Sequence, residues 1–298
     1  MWARLGWTNR LASVESDTRA RAVSNPVLRL DGYIGSGARS RWGCETLTRM
    51  SRMYVPARSV TDWQALLADP KGQWKTGFSA KALAYCWQEA DDFPPSVRAV
   101  FEESLFPLFY DIELLLAIPE HKVPLPGGRR ASQTDLFVLA RSGNELISVA
   151  VEGKVDEPFD ETVGDWLSRR AADEQKRGRE PVPSTGARER LTYLCGLVGL
   201  PEAEVSGLRY QLLHRTASAL IEARRFNARH ALMLVHSFSQ ADPPMWLDDF
   251  KKFAGRLKCE GAAAGTLVCV GERDGIDLYL GWATGDQAFL DAEVQAST

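Results

Sequence analysis

Asp135, Glu152 and Lys154 are the residues whose types and spacing can do chemistry. Each is a charge set in an otherwise apolar run. Asp135 lies in TDLFVLA, and Glu152 and Lys154 close the run ISVAVEGKV. Charges in such runs are seldom decoration, because burying an unpaired ion costs far more than a neighbouring methyl group gains. The runs are joined by Ser142-Gly143-Asn144-Glu145, a hairpin signal. With Gly143 and Asn144 as the turn, Ser142 faces Glu145 and, counting outward, Asp135 faces Glu152. Directly opposed Cβ atoms lie about 4.5–5.5 Å apart. Lys154 is two residues beyond Glu152 and points to the same face. Two opposed carboxylates repel; a shared proton at a raised pKa relieves them, and so does a cation between them. A divalent metal neutralises both at once, and carboxylate and water oxygens suit Mg²⁺ or Mn²⁺. A lysine beside such a site can hold an attacking water or stabilise charge developing on a phosphoryl group. The plain alternative is that Asp135 caps a turn and Glu152 with Lys154 forms a solvated edge pair.

The elements that must position these residues are legible from period and punctuation. Residues 1–57 read as a poorly structured extension. Its first 49 residues carry arginines without lysine, as either a flexible basic tail or translated upstream sequence with the start at Met50 or Met53. Residues 58–95 read as a small helical region. Thr61 caps one helix there and Ser79 a second, with Trp63, Trp74 and Trp87 as its core. The main domain is expected over 96–298. Ser96 caps a helix, SVRAVFEESLF, that Pro107 limits. An apolar run, IELLLAIPEH, then reads as a strand interrupted near Pro119, and the hairpin follows. Residues 156–207 are polar with one clear helix, ARERLTYLCGLVGL, and Ser168 to Arg190 is expected to be a mobile loop or lid. An amphipathic helix runs from Leu208 to Arg225, a buried strand from His230 to Ser239, and a helix and a last hairpin close the chain. The predicted class is α/β, a mixed sheet with helices on its faces.

Asp135 on one strand and Glu152-Gly153-Lys154 on the next, with a helix before and a helix and strand after, resemble the PD-(D/E)XK nuclease superfamily. That group includes restriction endonucleases, Holliday-junction resolvases and RecB-type nucleases. The resemblance covers residues 96–239, about half the chain, and Thr134 stands where the family name has proline. It implies a restriction-endonuclease-like core of order α-β-β-β-α-β and a metal-dependent nuclease, with DNA as the first expectation and RNA as an alternative. Asp135 and Glu152 would be metal ligands and Lys154 the catalytic lysine. A further acid is expected from the first helix, Glu102 or Glu103, with Glu103 taken as the third metal ligand and Glu113 a weaker candidate. On the Leu208–Arg225 helix, Gln211, His214 or Arg215, and Ser218 share one stripe. Gln211 resembles the glutamine of RecB-type members, although no tyrosine follows four residues later. His214, Arg215 and Arg130 are the expected contacts to substrate phosphate, with weaker candidates among Arg129, Arg169, Arg170, Lys176, Arg177 and Arg179. The resemblance also makes a homodimer an expectation. A catalytically silent binding or assembly module with the same fold is the other reading.

Composition narrows the class without choosing the function. With 45% hydrophobic and 25% charged residues, the chain reads as a globular protein. No apolar run approaches a membrane span and no secretory pattern opens it, so a cytoplasmic location without a membrane partner is expected. Five cysteines, odd in number and without a C-x-x-C pair, argue for free thiols rather than a zinc site. A net charge of −3 gives no sign of a nucleic-acid-coating protein, and any phosphate contact must come from a local basic patch. No phosphate-binding G-x-x-x-x-G-K-[ST] loop or G-x-G-x-x-G fingerprint is present, which removes the usual nucleotide-binding readings.

Overall fold

The computed structural model describes residues 57–292. The readings of residues 1–49 lie outside the described residues. In chain order the elements are α1 (Val60–Leu66), α2 (Ser79–Glu89), α3 (Pro95–Glu102), β1 (Glu113–Val123), β2 (Ser132–Ser142), β3 (Glu145–Lys154), α4 (Val163–Lys176), α5 (Thr185–Val198), α6 (Tyr210–Phe226), β4 (His230–Ser237), α7 (Leu247–Arg256), β5 (Leu267–Arg273) and β6 (Ile276–Thr284). The strands form one mixed six-stranded sheet of order β1-β2-β3-β4-β6-β5. β1, β2 and β3 meander antiparallel, β4 and β6 run parallel to β3, and β5 returns antiparallel at the far edge.

The sheet lies between two helical layers, and the two-residue period of the strands sorts side chains between them. On β3, Ala150 joins a core with residues of α4, α5, α6 and α7. Its neighbours Ile147, Val149 and Val151 join the opposite core, with α1, α2 and α3. β4 divides in the same way, Ala231, Met233 and Val235 on one side and Leu232 and Leu234 on the other. Such strands are buried on both faces, which is why they read as continuous apolar runs.

The hairpin takes the expected register. Ser142 pairs with Glu145 and Leu136 with Val151. Gly143 adopts a φ of +56°, the left-handed value that the first residue of a tight hairpin turn needs. Pro119 does not interrupt β1, which runs through it to Val123. β1 is an edge strand, where a missing N–H costs little.

Four expectations are corrected here. Thr61 and Ser79 do not cap their helices: Ser59 is the N-cap of α1 and Phe78 that of α2, so both expected caps lie inside the first turn. The 58–95 region has no core of its own: Trp63 and Trp87 are buried in the sheet's α1–α3 core beside Leu136 and Val151. The helix expected to start from a Ser96 cap begins at Pro95 with Pro94 as N-cap, the first-turn position where a proline's missing N–H is no loss. The segment expected as a loop or lid from Ser168 is largely helical. Thr162 caps α4 by accepting the Asp165 N–H, and Val163 and Trp166 anchor the helix on the core. Among the described residues, no helix is long and apolar enough to cross a membrane.

Candidate active site

The C-terminal end of β3 carries two buried charges, Glu152 at 1% exposure and Lys154 at 3%. Both share the face of Ala150, toward α6. One step beyond the Leu136–Val151 pair, Asp135 stands opposite Glu152, and its Oδ2 accepts the Gly153 N–H at 2.9 Å. A Cβ at Gly153 would lie 3.3 Å from Leu83 Cδ2, a tight contact, and 3.5 Å from this oxygen, an ordinary one.

A third acid completes the row. Pro119 pairs with Leu136 and His121 with Thr134, so Glu120 falls opposite Asp135. Glu120, Asp135 and Glu152 therefore stand side by side across β1, β2 and β3. Glu120 adopts a φ of +52°, unusual for a strand residue with a side chain and typical of positions held by function rather than propensity. The sequence reading did not single it out. Its signal was weaker than that of Asp135, because Glu120 follows Pro119 and is followed by His121 and Lys122 rather than by apolar residues.

Lysine, glutamine and arginine converge on Glu152. Lys154 Nζ donates to Glu152 Oε1 at 2.6 Å, and Gln211 Nε2 to the same oxygen at 2.5 Å. Arg215 Nε donates to Glu152 Oε2 at 2.5 Å, while its Nη2 lies 3.6 Å from Asp135 Oδ1. The Gln211/Arg215/Ser218 stripe of α6 thus turns onto the sheet: Arg215 is 6% exposed and Ser218 1%. Ser218 Oγ donates to Ser132 Oγ, which also accepts from Arg215 Nη1. Arg215, expected on substrate phosphate, is spent on the acids.

Glu120, Asp135, Glu152, Lys154, Gln211 and Arg215 line a cavity of about 530 Å³, closed on other sides by residues of the 67–73 segment and the start of α2. Glu157 and Asp160 also line it, so five carboxylates face two cations, Lys154 and Arg215. Burial, then the charge of Asp135, pushes the Glu120 carboxyl up to about 8. Burial, then the charge of Glu152, raises Asp135 to about 7. Burial would raise Glu152 too, but Arg215 and Lys154 outweigh it and hold its carboxyl below the usual range. One acid of the row is therefore firmly ionised and the other two are short of positive charge.

The other candidates lie elsewhere. Glu102 and Glu103 are exposed at the end of α3 and do not line the cavity. The physical reason is that α3 packs in the core opposite the face that carries the acids. Glu113 pairs with Arg141 at 2.7 Å. His214 is not among the cavity's lining residues. Its Nδ1 lies 2.8 Å from Ser132 Oγ, and burial, then the charge of Arg215, pushes its pKa well below the usual range. Arg130 and Arg129 line a different, smaller cavity with Arg170 and Arg190. Arg169 is paired with Glu161, Arg177 and Arg179 with Glu174, and Lys176 with Asp173.

The donors suit a hard divalent cation in type and charge: carboxylate oxygens in excess of positive charge. Glu157 Oε1 and Gln211 Oε1 are buried acceptors on lining residues with no hydrogen-bond partner, as expected where a cation or its water shell is to be received. Among the described residues, no group of three or more His, Cys, Asp or Glu side chains is already gathered to hold a metal ion. Glu152 is tied to Lys154, Gln211 and Arg215, which leaves Asp135 and Glu120 as the acids with most to gain from one.

Compared with known proteins, the chain belongs to the DUF6946 family, described as a domain of unknown function, which it matches over residues 56–287. That span holds the whole sheet and every residue of the cavity. No curated protein and no solved structure matches the chain.

Proposed function

We propose that this protein is a metal-dependent nuclease that hydrolyses phosphodiester bonds of nucleic acid, DNA in the first instance, through a PD-(D/E)XK-like site. The observation that carries the reading is the row Glu120, Asp135 and Glu152 across three adjacent strands, with Lys154 on the same face, in a cavity richer in carboxylates than in cations. The order α3-β1-β2-β3-α6-β4 supports it, with α4 and α5 inserted between β3 and α6. A cytoplasmic location, a homodimer and a role in restriction or defence belong to the proposal by analogy alone.

Asp135 and Glu120, with Glu152 behind them, would hold Mg²⁺ or Mn²⁺. A bound metal supplies Lewis-acid stabilisation of phosphoryl oxygens and a more acidic water. The chain's own groups do the rest. Lys154, held at Glu152 Oε1, offers N–H donors to a water or to a phosphoryl oxygen. Gln211 and Arg215 clamp Glu152 so that its carboxylate cannot swing away. The Gly153 N–H fixes one oxygen of Asp135 and leaves the other toward Arg215. Once Glu120 and Asp135 have lost their protons, the cavity without a cation repels a phosphodiester, so phosphate binding there depends on the metal.

A second reading has its own observation. Glu152 is saturated by three donors, and Arg215 bridges it to Asp135, so the network is also a closed internal ion cluster that a binding or assembly module could keep. The test is cleavage of supercoiled, linear and single-stranded DNA, and of RNA, with Mg²⁺ or Mn²⁺, for wild type and Lys154→Ala. Metal-dependent cutting that falls by about 10²–10³-fold or more in the variant is expected. Equal cutting by both proteins removes Lys154 from the mechanism. Cutting by neither on any substrate transfers the case to the second reading.

A further inference from the structure

A second cavity, of about 160 Å³, has the opposite charge to the acidic one. Arg129, Arg130, Arg170 and Arg190 line it, with Ser184 and Trp166, and no carboxylate does. It is a built site rather than a chance patch. Arg190, 7% exposed, donates through Nε to Pro126 O at 2.9 Å and through Nη2 to Leu125 O at 3.4 Å, latching the 124–131 loop to α5. The loop and helix meet backbone to backbone: a Cβ on Gly127 would lie 1.8 Å from Gly186 O, and one on Gly186 would lie 2.5 Å from Gly127 O. Ser184 is the N-cap of α5, a helix of 14 residues whose positive end faces this loop. Trp166 forms a wall, stacked on Tyr210 with ring centroids 4.4 Å apart, and the Arg170 guanidinium lies over its ring. Arg170 Nε is buried there with no hydrogen-bond partner. A buried guanidinium N–H without a partner, in a cavity lined by four arginines and no carboxylate, suits an anion.

We propose that this cavity is a phosphate-monoester site that receives the phosphorylated end of a nucleic-acid strand and sets that strand against the acidic cavity. A monoester carries a charge of about −1.5 to −2 and three acceptor oxygens, against one charge for an internal phosphodiester. A cluster of planar guanidinium forks matches the monoester better. A small cavity also suits one end group rather than a continuous backbone track. The placement follows from two elements that serve both cavities. Arg129 and Arg130 directly precede β2, which begins at Ser132 and carries Asp135. Tyr210, behind the Trp166 wall, and Gln211 and Arg215, in the acidic cavity, lie on the same stretch of α6, within roughly 8 Å along its axis. The strand-end assignment rests on the nuclease reading; the phosphate-monoester site does not.

The test is equilibrium binding by the full chain, with metal chelated so that nothing is cut. The probes are labelled single strands of about ten nucleotides bearing a 5′-phosphate, a 3′-phosphate or neither, with inorganic phosphate as competitor. One phosphorylated strand is expected to bind at least about tenfold tighter than the hydroxyl strand, a difference of about 1.4 kcal/mol. That preference should vanish in the R129Q/R130Q double variant, whose two side chains are exposed, and fall in R170Q. If inorganic phosphate competes, and binds alone with the same arginine dependence, the monoester site stands. A mononucleotide that binds as tightly as the phosphorylated strand keeps the site and overturns the strand-end assignment. Equal affinity for all three strands, with no competition by phosphate, overturns the whole proposal. That last result leaves metal-dependent cleavage, and so the nuclease reading, unaffected. Conversely, phosphate binding in a protein that cuts nothing retains this site and refutes that reading.

Discussion

Replacing Arg215 by methionine keeps an unbranched apolar stem and removes the guanidinium with its charge and donors. Arg215 is 6% exposed, bonds Glu152 at 2.5 Å and Ser132 at 3.1 Å, and lies 3.6 Å from Asp135. Removing one partner of a buried ion pair costs about 3–5 kcal/mol, because the other charge stays buried. Glu152 retains Lys154 and Gln211, so the lower end, about 3 kcal/mol, is expected. With a urea slope of roughly 2–3 kcal/mol per M, the unfolding midpoint should fall by about 1–1.5 M. The deficit should also depend on pH. In the folded protein Asp135 is raised from 3.8 to about 7 and Glu120 from 4.5 to about 8. Between the unfolded and folded values the native state therefore binds more protons than the unfolded chain. These groups' contribution to stability is complete below the unfolded values and is lost as pH rises through the folded ones. Arg215 lowers both folded values, so without it the loss is deeper. The variant should fall further behind wild type at about pH 8.5 than at about pH 6, where both carboxyls already carry protons. Urea unfolding followed by tryptophan fluorescence at the two pH values measures this. A deficit below about 1 kcal/mol, the worth of an exposed pair, or the same deficit at both pH values, would show that Arg215 does not neutralise the acid row.

Three further outcomes are expected. Mn²⁺ should raise Tm more at about pH 8.5 than at about pH 6, since Asp135 and Glu120 must shed protons to ligate a cation; a Tm shift independent of pH would exclude these two acids as its source. Glu120→Gln should remove most of that metal-induced shift while Glu103→Gln leaves it intact, and the reverse pattern would restore Glu103 as the third acid. Gly127→Ala should destabilise the fold by about 2 kcal/mol or more, because the added Cβ meets a carbonyl oxygen and φ is +73°; thermal melting that matches wild type would mean the 124–131 loop is not packed on α5.

The pair Asp135 and Glu152 was legible in the sequence because nothing long-range was needed to align it. A two-residue turn at Gly143 and Asn144 leaves the hairpin no slack, and a one-residue slip would exchange core and solvent faces along both strands. Glu120 was not legible by the same route. Eight residues separate Val123 from Ser132, and a connection of that length does not set a register. The polar stripe of α6 was visible from its spacing, but not its direction. It faces the sheet because the buried acids of β2 and β3 stand there to receive its guanidinium. The α4 segment failed as a loop because its charged composition hid a Thr162 cap and two anchors, Val163 and Trp166, that gain their energy only once the core exists.

By itself, then, the sequence determined the α/β class, the hairpin register and the placing of Asp135, Glu152 and Lys154 on one face. Those follow from the two-residue period of strands, the tightness of one turn and the cost of charge in an apolar run. Only the tertiary structure decided which further groups meet them. It brought Glu120 into the row through β1, turned Arg215 inward, left Glu103 with α3 on the other side of the sheet, and gathered four arginines from two helices and a loop into a separate cavity. Each of these depends on which layer a helix covers and how a long connection closes, and both are settled by packing between segments distant in the chain.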